Sequence, residues 1–126
     1  MSLSHHELCF GCGSANLFGL QMELEAAGDG SVVGRFFLKQ DHQGPGGLAH
    51  AGVLASALEE AMGLALHARG VHARAVRLEL ELTGEAPVGE FVHVRARLDH
   101  ELTAVASAEV DGRTVAEGRA VFVPMG

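Results

Sequence analysis

Tryptophan and tyrosine are missing from this sequence, and cysteine and proline are scarce, at two and three residues. Aromatic stacking therefore rests on six phenylalanines and the histidines. Two cysteines are too few for the disulfide framework of a small secreted domain, so a reducing, cytoplasmic setting is expected. No apolar segment reaches the roughly 20 residues a bilayer span needs, which argues against a membrane protein. The opening MSLSHHELCFGCG has no basic stretch leading into an apolar core, so it does not read as a secretory signal. Basic residues are outnumbered, nine Lys and Arg against sixteen Asp and Glu, for a formal charge of −7. Phosphate backbones select for basic faces, so nucleic acid is not an expected partner.

What remains is a globular composition, 48% hydrophobic over 126 residues, the size of one domain (1–126). Residues 1–16 form a polar, Gly-rich loop segment carrying Cys9-x-x-Cys12. Residues 18–26 alternate Met22 and Leu24 with Glu23 and Glu25, the period of a half-buried strand. GDG (28–30) is a hairpin turn and 31–39 the return strand. A loop, QDHQGPGGLAH, then leads into the segment 49–70, whose Leu54, Leu58, Ala61, Ala65 and Ala68 recur at helical spacing. Gly70, following His67 and Arg69, marks its end.

Four more strand-like segments follow. In one, Val76, Leu78, Leu80 and Leu82 oppose Arg77, Glu79 and Glu81; in the next, Val92, Val94, Ala96 and Leu98 oppose His93, Arg95 and Arg97. The third is rich in small residues, including Ala104, Ala106 and Ala108, a row expected to pack closely at an interface; Asp111-Gly112 turns the chain into the last strand. One helix serves about six strands, whereas parallel strands need a crossover each. The fold class is therefore α+β, a long central helix wrapped by a curved, mostly antiparallel sheet, which is the hotdog arrangement.

The helix carries the chemistry. Its Gly-rich approach lets backbone come close to a ligand. The first helical amides, those of Ala51 and Gly52, lack internal partners and sit at the positive end of the helix dipole, a place to hold a developing oxyanion. Near mid-helix stand Glu59 and Glu60, among small and apolar neighbours with no basic partner on the helix at adjacent turns. A carboxylate so placed has its pKa raised, which suits a general base, and periodicity does not choose between the two. Ala51 lies eight residues before Glu59, about 12 Å of helix rise, whereas catalytic contacts span roughly 3 Å. Acting on one centre, the amides and the carboxylate must come from different chains, so catalysis here requires a two-fold homodimer.

The stretch HQGPGGLAHAGVLASALEEAMG resembles the signature of hotdog-fold acyl-CoA thioesterases of the phenylacetate-pathway-like branch: a histidine, two glycines and an acid nine positions after the histidine. CFGCG and the following NLFGL resemble a CFxCG-containing subgroup of that family. The resemblance implies a thioesterase, with Glu59 rather than Glu60 as the carboxylate that activates water or attacks the carbonyl. It implies that the Ala51 amide polarises the thioester, that His50, His42 or Gln43 orients the loop or the acyl group, and that no metal is used. The substrate would be an acyl-CoA, with coenzyme A entering as part of the substrate rather than as a cofactor. The assembly would be a homodimer, often paired into a homotetramer. The acyl chain is expected between chains, near Met62 and Leu66. Two positions depart from the pattern, Ala51 for the first glycine and Glu59 where many relatives have Asp. The alternative is a hotdog module that binds acyl-CoA without turnover.

Cys9 and Cys12, with His5 and His6 upstream, resemble half of a zinc clip, but a structural site takes four ligands, often as two spaced pairs, and the set is incomplete. A redox CxxC belongs at a βαβ unit, which is not present. The expectation is cysteines packing a terminal loop against the sheet or a neighbouring subunit, and no metal.

Overall fold

The structure, a computed structural model, describes residues 2–125. In chain order it contains β1 (Ser2–Leu3), β2 (Glu23–Ala26), β3 (Val32–Phe37), the helix α1 (Ala51–His67), β4 (Ala73–Leu82), β5 (Phe91–His100), β6 (Thr103–Val110) and β7 (Arg113–Pro124). Two short 3-10 turns, Gln40–His42 and Pro45–Gly47, precede the helix. The strands form one sheet in the order β1-β2-β3-β5-β6-β7-β4, antiparallel at every pairing. This is the hotdog architecture, with seven strands rather than about six. The seventh is β1, two residues pairing Ser2 with Glu25 and Leu3 with Leu24, too short for alternation to reveal. The strand expected over 18–26 begins only at Glu23. Before it, Gln21 has a φ of 50°, and the Leu20 and Met22 amides bond the Phe10 and Gly11 carbonyls, so this stretch belongs to the N-terminal loop.

The helix lays Leu54, Leu58, Ala61, Met62, Ala65 and Leu66 into the core. Facing it, the sheet offers Val92, Val94 and Ala96 of β5, Ala104 and Ala108 of β6, and Ala116, Ala120 and Phe122 of β7, all nearly inaccessible. Small residues let the helix settle close: a Cβ added to Gly118 would stand 3.1 Å from Leu58 Cδ1. The row Ala104, Ala106 and Ala108, expected at an interface, is instead buried inside the chain. The turn at Asp111-Gly112 has positive φ at both residues, 51° and 75°, as a two-residue hairpin requires.

The two edges of the sheet differ. β1 is short; β4 runs ten residues and, among the described residues, pairs only with β7. A register shift between Ala75 and Arg77 bulges β4, and Val76, Leu78 and Leu82 stand exposed, with Leu80 half-buried. An exposed, apolar edge strand is a template for pairing with another chain.

Candidate active site

The loop before the helix is held from several sides. The Ala49 amide bonds the Ala86 carbonyl, the His50 amide bonds the His42 carbonyl, and Leu48 bridges Pro87. Gly46 and Gly47 have φ of 73° and 75° with open space around them, so their need for glycine is conformational. His42 is buried, edge-on to Phe36, and its Nδ1 accepts from the Lys39 amide at 3.0 Å. Burial, helped by nearby Lys39, pushes its pKa down, so it is neutral. His42 thus braces the loop. Gln43 is exposed, and its Nε2 donates to Gln40 Oε1 at 2.9 Å.

His50 is the N-cap of α1, in extended backbone, and its Nδ1 accepts from the Gly52 amide at 2.9 Å. That bond corrects one expectation: the Gly52 amide is satisfied within the chain and is not free for an oxyanion. The exposed Ala51 amide has no acceptor among the described residues and remains available.

Along the helix the two glutamates part company. Glu59 is half-buried and has no hydrogen-bond partner among the described residues; burial, then the charge of Glu60, pushes its pKa up, with His5 opposing. Glu60 is buried and turned to the N-terminal loop, where its Oε2 meets His5 Nδ1 at 2.7 Å and both its oxygens lie 3.4 Å from Cys9 Sγ. Burial alone would raise the Glu60 pKa, but hydrogen bonds from His5, Cys12 and Cys9 hold it below the usual range. The same bond to Glu60 raises His5 to about 9, so without other ligands the two form an ion pair. The cysteine loop therefore packs against the helix, through Cys9 on Glu60. Sequence reasoning missed Glu60 as the loop's partner because it lies about 50 residues away; the one available signal was a second mid-helix carboxylate with no helical partner.

Met62 and Leu66 are 0% and 1% exposed, buried under the sheet. They fill the core of their own chain, which corrects their assignment to an acyl pocket. Two open hollows, of about 600 and 670 Å³, lie away from the helix and include Arg95 and Ser107 in their lining. Neither includes His50, Ala51 or Glu59. A single chain thus offers an amide and a carboxylate on one helix, eight residues or about 12 Å apart along its axis. Among the described residues no helix is long and apolar enough to cross a membrane.

A family model described as the thioesterase superfamily matches residues 46–121, more than half of the chain. No curated protein matches the sequence. Among solved structures, a phenylacetic acid degradation-related protein from Ralstonia eutropha JMP134 is similar at 22% identity and a TM-score of 0.75, with 82% of this chain and 84% of that one covered. A thioesterase superfamily protein is similar at 25% identity and a TM-score of 0.81; it covers 91% of this chain, which spans only 62% of that one. A hypothetical thioesterase protein from Streptococcus pneumoniae TIGR4, solved with coenzyme A, is similar at 19% identity and a TM-score of 0.73, covering 83% of this chain and 86% of that one.

Proposed function

The chain belongs to the thioesterase superfamily, and from that premise we propose that it hydrolyses acyl-CoA thioesters at sites shared by two copies. The observation that carries this reading is a pair of unused groups on one helix, the Ala51 amide at its positive end and the Glu59 carboxylate two turns on. The coenzyme A seen with the Streptococcus relative supports the substrate class. The CFGCG and NLFGL motifs favour the CFxCG-bearing, phenylacetate-pathway-like branch.

In this mechanism the thioester oxygen accepts from the Ala51 N–H of one copy. Glu59 of the other copy takes a proton from water as the oxygen attacks the carbonyl carbon, or attacks it directly to give an anhydride that water then opens. The tetrahedral oxyanion rests on the Ala51 amide, the C–S bond breaks, and coenzyme A leaves as its thiolate. His50 and His42 position the loop that presents the amide. The uncovered edge of β4 provides the dimer surface, and pairs of dimers extend it to a tetramer. No cofactor takes part in this hydrolysis, and two unpaired cysteines suit a cytoplasmic setting.

The test is free-thiol release from a panel of aryl and aliphatic acyl-CoA substrates. Wild type turns over, and Glu59→Gln loses at least ~100-fold, as removal of a general base does. Binding of acyl-CoA without release of thiol would make the chain a carrier module instead.

A further inference from the structure

The cluster that Glu60 completes is a site in its own right. His5 Nδ1, Cys9 Sγ, Cys12 Sγ and a Glu60 oxygen all lie within 4.8 Å of one another. We propose that these four residues bind one zinc ion, which staples the N-terminal segment to the middle of α1.

The donor set is the first reason. Two thiolates, an imidazole and a carboxylate are ligands that zinc takes in tetrahedral sites. Ideal bonds would set S to N at about 3.6 Å, S to O at about 3.5 Å and N to O at about 3.3 Å. The observed separations are 3.8 and 3.9 Å from the two sulfurs to His5 Nδ1, and 3.4 Å from Cys9 Sγ to Glu60. Of these contacts the His5–Glu60 one, at 2.7 Å, is well short of that geometry and has to open by about half an ångström.

The second reason is how the sulfurs are held. The His5 amide points at Cys12 Sγ at 3.2 Å, and Ser4 Oγ lies 3.5 Å from it. Cys9 Sγ lies 3.4 Å from both Glu60 oxygens. Both sulfurs are thus held beside the His5–Glu60 pair, and an ion pair between those two does not by itself call for two sulfurs so placed. The third reason is Gly11, inside the CxxC. A Cβ there would fall 2.4 Å from Glu60 Cγ, so only glycine lets the cysteine loop close over the carboxylate. Outside the ligands, the His5 ring stands edge-on to His67, 5.1 Å away, which fixes its plane.

Metal enters by displacing the proton on His5 and those on the two thiols, so binding releases protons and strengthens as the pH rises. The site uses none of the groups assigned to thioester hydrolysis, and its test does not depend on activity. The full chain, purified without a histidine tag, is analysed by elemental mass spectrometry. It is then stripped with chelator and denaturant and titrated with zinc against a chromophoric chelator, and separately with cobalt. The expected result is one zinc per chain. Cobalt should give the visible bands of a tetrahedral ion and thiolate-to-cobalt charge transfer, and Glu59→Gln should keep both. Glu60→Gln and Cys12→Ser should weaken zinc binding by more than about 100-fold, since even outer-shell partners are worth about 10–100-fold. If a variant fails to fold, wild type decides: zinc should raise its melting temperature and cobalt should report the thiolates. A chain that neither carries zinc nor binds it in competition overturns the proposal. So does an intact mass showing two hydrogens lost to a Cys9–Cys12 disulfide in the protein as purified.

Discussion

At the scale of single residues, the helix entrance turns on His50. Its ring accepts the Gly52 amide, a role usually filled by Ser, Asp or Asn. His50→Ala should lower stability by about 0.5–2 kcal/mol in urea denaturation, and His50→Asn should recover most of that loss. His42 supplies a pH dependence. The unfolded chain binds the histidine proton near pH ~6.5, whereas burial holds the folded residue below that. Its contribution is therefore complete above about pH 6.5 and declines as the pH falls through the folded pKa. The slope of unfolding free energy against pH below that point should be shallower in His42→Gln than in wild type.

Which of two adjacent glutamates is engaged by the rest of the fold was not legible from the residues alone. Both have small or apolar helical neighbours, and periodicity treats them alike. The difference is long-range: a loop some 50 residues upstream reaches Glu60 and, among the described residues, leaves Glu59 without a hydrogen-bond partner. The incomplete zinc ligand set has the same cause. Four ligands were needed, three sat in one loop, and the fourth came from a helix that only folding brings near.

At the scale of elements, the helix and the strands were readable because hydrophobic period reports a buried face directly. The helix was expected over 49–70 and runs Ala51–His67, ended as Gly70 with its φ of 78° suggested. Less was legible where side-chain pattern and backbone pairing diverge. Residues 18–22 alternate like a strand, yet their amides serve the N-terminal loop. The alanines of β6 looked suited to contact between chains, yet they bed the helix of their own chain. Leu58 is fully buried over Gly118, so Leu58→Ala should cost about 2–5 kcal/mol of stability, measured by denaturant or thermal unfolding. Substitution of a leucine on β4 should behave differently. Leu78 is 38% exposed on an unpaired edge, and Leu78→Lys should leave the fold intact while shifting sedimentation from dimer to monomer.

At the scale of the whole molecule, shared sites make a prediction that one-chain catalysis does not. Ala51 is the first helical residue and follows extended backbone, the position at which proline is best tolerated. Ala51→Pro should therefore remove the amide hydrogen and keep the helix. Each of Ala51→Pro and Glu59→Gln should be inactive alone. Refolded together in equal amounts, half the dimers are mixed, and each mixed dimer holds one intact site, so about a quarter of wild-type turnover should return. No recovery on mixing would place both groups' action within one chain.

The sequence by itself determined the fold class, the helix and the family resemblance. Each rests on spacing along one element, and spacing is a local property. Tertiary structure alone decided that His50 occupies the Gly52 amide and leaves Ala51 free. It decided too that Met62 and Leu66 are core, and that Glu60 faces His5, Cys9 and Cys12. Those outcomes depend on which groups meet across the fold, and hydrogen bonds, burial and metal ligation are properties of such meetings rather than of any one stretch of chain.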